Sequence, residues 1–279
     1  ISDHIPLAVP ITATLGGQPW LSAPIAYDEA RRIAQLLRTA CFVVIAYLSG
    51  MRTGEVLNLE RGCTSRDPVT GLWMIRGRKF KGARNHEGEK IPEGQIREDP
   101  WVVVEQTVRA VEVLERLHSH RLLIPNHLHP HARYGAGGKA GKARVEQARR
   151  AQFVTDDVME FIEWVNNYAN LAGRGHERIP PDPDGRIAPS RFRRTLAWHI
   201  VRRPRGLIAG AIQYGHIHVQ MTLGYSGAYD SGFPDEHAFE EWLFRLDQLG
   251  EDHQQLQSGE HVSGPAAAPY RQRINAAHQ

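Results

Sequence analysis

Residues 49–59 read Ser49-Gly50-Met51-Arg52-Thr53-Gly54-Glu55-Val56-Leu57-Asn58-Leu59, and this stretch decides how the chain on either side of it is read. Upstream, Asp28 and Glu29 open a segment in which Ile33, Leu36, Leu37, Ala40 and Val44 recur at helical spacing. A helix is therefore expected from Asp28 to about Leu48. Gly50 ends it, because glycine enters the left-handed backbone region without steric cost. Thr53 is expected to cap a second, short helix carrying Glu55, Val56, Leu57 and Leu59. Arg52 then falls on the tight bend between two helices, which fixes where its guanidinium points.

Downstream, Leu72-Trp73-Met74-Ile75-Arg76 has strand composition, a basic Gly-bearing stretch follows, and Trp101 to Val104 is a second β-rich run. These imply a small sheet with a basic turn. Glu105 to about His118 is expected to be helical, with Val108, Val111, Leu114 and Leu117 on one stripe. Residues 119–152 carry His127, His129, His131, Gly135, Gly137 and Gly138 with no sustained period, and read as a long loop or partly helical insertion. Thr155, Asp156 and Asp157 are expected to cap a helix running through Phe161, Ile162, Val165 and Tyr168. After a Gly- and Pro-rich loop to Pro189, helices are expected at Ser190 to about Val201 and Leu207 to Gln213, split by Pro204, and again around Val219–Tyr225 and Glu236–Leu249. The implied fold class is α+β, mostly helical with a small early antiparallel sheet. Residues 1–27 read as an arm or linker, 28–229 as the main domain with a loop and helical insertion over 119–189, and 230–279 as an acidic helix and tail.

The composition narrows the class. With 279 residues, 41% hydrophobic, 23% charged and 8% aromatic, the chain is neither disordered, collagenous nor a small disulfide scaffold. Its longest apolar run, Ala40–Leu48, is about half of the roughly 20 residues of a membrane span, so no membrane partner is expected. The two cysteines, Cys41 and Cys63, form no metal-type pair, and a reducing, cytoplasmic setting is expected. A first residue of Ile1 suggests a fragment, in which any N-terminal partner domain would be invisible. The net charge of +3 hides an asymmetry: 31 Lys and Arg stand against 22 Asp and Glu in residues 1–229, and 3 against 9 in residues 230–279. Two clusters, Arg76, Arg78, Lys79, Lys81 and Arg84, and Arg191, Arg193, Arg194, Arg202, Arg203 and Arg205, point to a polyanion.

Four stretches together resemble the catalytic domain of the tyrosine recombinases, the phage-integrase family: Ser49 to Leu59, the basic Arg76 to Gly82, Ser190-Arg191-Phe192-Arg193-Arg194, and Tyr214-Gly215-His216 on to Tyr225. The resemblance covers roughly Asp28 to Leu249. It implies that Arg52 and Arg193 are the catalytic arginines, His216 the later histidine and Tyr225 the nucleophile, with Lys79, or failing that Lys81, as general acid. Glu55 corresponds to an acidic residue that braces the site. Ser190 stands where the family pattern has His, three residues before the second arginine, and a hydroxyl is no base near neutral pH. Arg76, Arg78, Arg191 and Arg194 are expected to bind DNA. The chemistry fits these residue types. Attack on a phosphodiester builds charge on the non-bridging oxygens, and planar guanidinium forks bind it bidentately. A phenol of pKa about 10 needs such a field to act as a nucleophile. The implied function is site-specific recombination or integration of DNA, serving a mobile element, through a 3′-phosphotyrosyl intermediate. It needs no metal, ATP or other cofactor, its partner is double-stranded DNA, and four copies act together around two duplexes.

Each residue also has a plainer reading. Arg52 alone is a solvated helix end, Arg193 and Arg194 a polar helix face, and Tyr225 core packing; Tyr229 is a second tyrosine candidate. His199 is nearby but displaced around the helix from Arg193. Three alternatives therefore stand beside the recombinase: a catalytically inactive DNA-binding member of the same fold, a topoisomerase-like relaxing enzyme, and a Zn-dependent hydrolase on His127, His129 and His131. His218, two residues from His216, shares no helix face with it and makes no metal pair there.

Overall fold

The computed structural model describes residues 5–128, 147–201, 203, 206–214, 249, 252–259, 262 and 267–277. The chain divides into two compact units, Ile1–Arg193 and Arg194–Gln279.

The first unit is built on α1, Tyr27–Ser49, whose Leu36, Cys41, Phe42, Ile45 and Ala46 are buried. Helical spacing places these residues along one side, and that side meets α3, Glu105–Leu117, and α4, Ala151–Leu171. Between α1 and α3 lie the short α2, Thr53–Leu57, and five strands. β3 (Thr64–Arg66), β4 (Trp73–Ile75) and β7 (Trp101–Val103) form a three-stranded antiparallel sheet in the order β3-β4-β7, with Ile75 opposite both Thr64 and Trp101. Alternation along β7 turns Trp101 and Val103 into the core and leaves Val102 outside. β5 (Arg78–Lys79) and β6 (Gln95–Ile96) make a separate antiparallel ribbon. β1 (Thr14–Leu15) and β2 (Gln18–Pro19) form a hairpin in the N-terminal arm, which Trp20 docks onto Trp164 and Tyr168 of α4. The architecture is thus α+β, helical with small antiparallel sheets, as the sequence implies.

α1 is long and apolar enough, by length and composition, to cross a membrane. Here its apolar side lies against α3 and α4, and Arg38, 4% exposed, sits beside Asp157 of α4 at 3.5 Å. Arg149 grips the same carboxylate with two donors, and Arg38 also donates to the carbonyl of Pro125. Burial lowers the proton affinity of Arg38, and Asp157 opposes the shift.

Two boundaries differ from expectation. α4 begins at Ala151, four residues before Thr155, because Asp156 and Asp157 pair with Arg186 and with Arg38 and Arg149 instead of capping a helix. Thr53 is the first residue of α2 and not its cap; Arg52 holds the cap position with extended backbone. The expected helices around Val219–Tyr225 and Glu236–Leu249 lie outside the described residues, apart from Leu249.

α5, Ser190–Val201, begins in the first unit and runs into the second. A Cβ on Gly206 would stand 1.9 Å from the carbonyl oxygen of Ile200, so only glycine fits there. α6 (Gly206–Tyr214) follows, then a helical stretch at 252–257 and α7 (Ala267–Ala277), whose Ala267 and Ile274 are buried.

Candidate active site

The site is assembled around the bend between α1 and α2. Gly50 closes α1 in left-handed backbone (φ 65°), and its N–H donates to the carbonyl of Ala46. Ser49 ties the bend from inside: its hydroxyl donates to Ile45 and accepts from the N–H of Met51, which is itself buried. Arg52 follows with extended backbone (φ −69°, ψ 150°). Glu55, 2% exposed, accepts from the Arg52 backbone N–H at 2.7 Å and from its guanidinium at 2.9 Å. One carboxylate therefore starts the short helix and aims the arginine.

Arg193 reaches the same bend from α5. It is 5% exposed, and its guanidinium Nη1 donates to the carbonyl of Gly50, 143 residues earlier in sequence. Arg52 and Arg193, from distant segments, are thus both tied to the bend, one through Glu55 and the other through the Gly50 carbonyl. A buried guanidinium keeps its charge only where polar partners surround it, and the Gly50 carbonyl is one of them.

The hairpin bearing Lys79 closes on this bend. Lys79 is a strand residue of β5, opposite Gln95, and not a turn residue as expected. The hairpin lies close because residue 77 is glycine: a Cβ there would stand 3.1 Å from Leu59 Cδ2, 3.3 Å from Trp101 Cζ3 and 3.8 Å from Met51 Cε. Its return strand brings in a residue that the motif reading missed. Arg97 donates its backbone N–H to the carbonyl of Gly77 and lays its guanidinium 4.6 Å over the ring of Trp101. Burial lowers its proton affinity; Glu55 and Asp99 pull the other way, while Arg193 and Arg52 push it down further. Arg97 belongs to no motif of fixed spacing, and its only sequence signal is a cation close before a tryptophan in β-rich text.

The remaining candidates are distributed as follows. Ser190 and Lys81 are exposed, as are Arg76 and Arg194, and Arg78 donates to the carbonyl of Gly94. Arg191 is paired with Asp182 and Asp184. His216 and Tyr225, like His218, Tyr229, His129 and His131, lie outside the described residues. His127 contacts the Asn126 side chain, and burial lowers its pKa. Among the described residues, no group of three or more His, Cys, Asp or Glu is placed to hold a metal ion. Both cysteines are buried, and desolvation pushes Cys41 up to about 11 and Cys63 up to about 12, so neither is a thiolate nucleophile at neutral pH.

No family model and no curated protein matches the chain. Among solved structures it is similar to the XerH site-specific recombinase in a post-cleavage complex with its palindromic difH substrate, at 14% identity and a TM-score of 0.43 over 74% of this chain and 46% of that one. It is similar to the XerA recombinase at 17% identity and a TM-score of 0.39, over 76% of this chain and 63% of that one. It is also similar to the Tn1549 transposon integrase in complex with circular intermediate DNA, at 14% identity and a TM-score of 0.37, over 74% and 59%. The chain spans between about half and three-fifths of the length of these structures. Similarity at this level carries no function across, and the chain's own residues have to bear that reading.

Proposed function

We propose that this chain is the catalytic part of a tyrosine recombinase or integrase, which cuts and rejoins DNA through a phosphotyrosyl intermediate. The observation that carries the reading is the bond from Arg193 to the carbonyl of Gly50, which sets two arginines from distant segments around one bend. A single arginine at a helix end needs no ligand to explain it. Two, one of them buried and both bonded to residues of the segment 50–55, make a preorganised receptor for a phosphate whose charge grows during reaction.

In this reading Arg52 and Arg193 bind the non-bridging oxygens of the scissile phosphate. Tyr225 loses its phenolic proton to solvent and attacks phosphorus through that oxygen, the bond to the 5′-oxygen breaks, and Lys79 gives the departing oxygen a proton. His216 hydrogen-bonds the phosphate. The 5′-hydroxyl of a partner strand then attacks the phosphotyrosyl bond and frees Tyr225, so the sequence of steps conserves the ester and consumes no ATP. Four copies on two duplexes complete a full exchange.

A second reading has its own observation. Ser190 is exposed and stands where the sequence pattern calls for histidine, which favours an inactive DNA-binding protein of the same fold. The two separate on a suicide duplex, nicked so that the cleaved strand is lost, incubated in EDTA. A denaturant-resistant protein–DNA adduct that vanishes in Tyr225→Phe supports the recombinase. Salt-sensitive DNA binding with no adduct supports the inactive binder.

A further inference from the structure

We propose that Arg97 is a third phosphate-binding residue of this site, completing with Arg52 and Arg193 a receptor for one backbone phosphate. The identity of the anion rests on the strand-cleavage reading above; the position of Arg97 does not.

The geometry leads from one arginine to the next through Gly77. That glycine lies against Met51, the residue before Arg52, and against Trp101, the ring on which the Arg97 guanidinium is stacked. It also accepts the Arg97 backbone N–H at 3.0 Å. The ladder Arg78↔Ile96 and Lys79↔Gln95 extends through this bond to place Arg97 opposite Gly77. Side chains alternate along strands, so Lys79 and Arg97 emerge on the same face of the ribbon as a diagonal pair. The cation assigned as general acid and the arginine outside every motif therefore share one surface, beside the bend that holds Arg52.

Charge gives this arrangement a direction. Arg52 and Arg193 lie near enough to Arg97 for their charges to act on it, while the carboxylates that do so are Glu55, buried and bound to Arg52, and the exposed Asp99. Arg52 and Arg193 repel Arg97 even with both carboxylates present. Collected in a half-buried position, like charges cost stability that a bound anion recovers. Trp101 holds the Arg97 guanidinium 4.6 Å from its ring centroid, and a planar guanidinium fork is the group that a phosphate accepts bidentately. A residue whose whole role was to cover Trp101 would need no second arginine beside it.

The test uses the full chain and two variants, Arg97→Gln and Arg97→Lys, with a thermal melt of each. Duplex DNA affinity is measured against salt concentration. Loss of one phosphate contact lowers the slope by about one in Arg97→Gln, and Arg97→Lys keeps it. The adduct rate of Arg97→Gln on the suicide duplex is expected to fall about 100-fold. On a duplex with a neutral methylphosphonate at the scissile position, the ratio of wild type to variant is expected to shrink toward one, because the charge that Arg97 meets is gone. If Arg97→Gln does not fold, Arg97→Lys carries the comparison: it keeps the charge but not the planar fork, so its adduct rate falls while its slope does not. An unchanged slope in Arg97→Gln, or a rate defect equal on both duplexes in either variant, overturns the proposal and leaves strand cleavage standing. Wild-type binding without any adduct overturns strand cleavage, and the salt slope alone then decides Arg97. A wild-type chain that does not bind DNA overturns both.

Discussion

Arg193 donates its guanidinium to the carbonyl oxygen of Gly50, the residue that ends α1, although 143 positions separate them. This bond does two things: it satisfies a carbonyl at a helix C-terminus, where intrahelical donors run out, and it anchors a buried cation at the bend that carries Arg52. Arg193→Ala is expected to lower stability by about 1–3 kcal/mol in the absence of DNA, the cost of an unpaired buried acceptor, and to abolish the adduct. Arg193→Lys restores charge without the planar fork and is expected to recover stability more than activity. Chemical denaturation of both variants checks this, and an Arg193→Ala chain as stable as wild type would show that the bond does not hold the bend.

Gly77 is where the Lys79 hairpin meets the bend. Its φ is not positive, so the requirement for glycine is one of space, set by Leu59, Trp101 and Met51. Gly77→Val is expected to cost about 1–3 kcal/mol by overpacking and to push the hairpin outward. Cleavage should then fall more steeply than DNA affinity, since affinity is spread over many contacts while proton donation depends on one. Equal losses in both would place Lys79 away from the reacting oxygen.

Asp157 sits between Arg38 and Arg149, at the join of α1 and α4. Replacing it with Asn leaves the Arg38 cation buried beside Arg149 without a counter-charge, and a loss of about 3–5 kcal/mol is expected. The double variant Arg38→Met with Asp157→Leu removes both charges and is expected to regain much of it. Thermal melts of the two proteins decide the point, and a double variant no better than Asp157→Asn would refute it.

His118 carries a pH dependence whose sign follows from its two bonds. Nε2 faces the carbonyl of Leu123, which only accepts, so Nε2 bears the proton; Nδ1 accepts from the N–H of His120. A second proton has no place on Nδ1, and burial, more than it is offset by the Leu123 carbonyl, lowers the pKa. The folded chain therefore takes up this proton at lower pH than the unfolded chain does. The stabilising contribution is present above the unfolded value of about 6.5 and is lost as pH falls through the lowered folded value. His118→Gln is expected to flatten this part of the acid limb when denaturation midpoints are compared between pH 8 and pH 5. An unchanged limb would mean that other groups carry it.

The helices and their order were legible in the chain because a helix is a local object. Ile33, Leu36, Leu37 and Ala40 recur three and four residues apart, and Gly50 stops the helix through its own backbone freedom, so no distant residue has to be known. The position of Arg52 on a bend followed for the same reason, as did the strand character of residues 73–75 and 101–103. Polar residues with more than one possible use were harder to read. Thr155, Asp156 and Asp157 read as a cap, yet the two aspartates are committed to arginines from other segments, and which use wins depends on what packs alongside.

The composition of the site divides along the same line. Glu55 and Arg52 are three residues apart, and one turn of helix brings them together. Arg193 needed its segment to reach the carbonyl of Gly50 at the end of α1, and Arg97 needed a ribbon folded over a glycine near Trp101. By itself the sequence determined which residues carry charge and which local elements present them. Only the tertiary structure decided which of those charges meet, because contacts between distant segments depend on the packing of everything between them, and no periodicity along the chain records it.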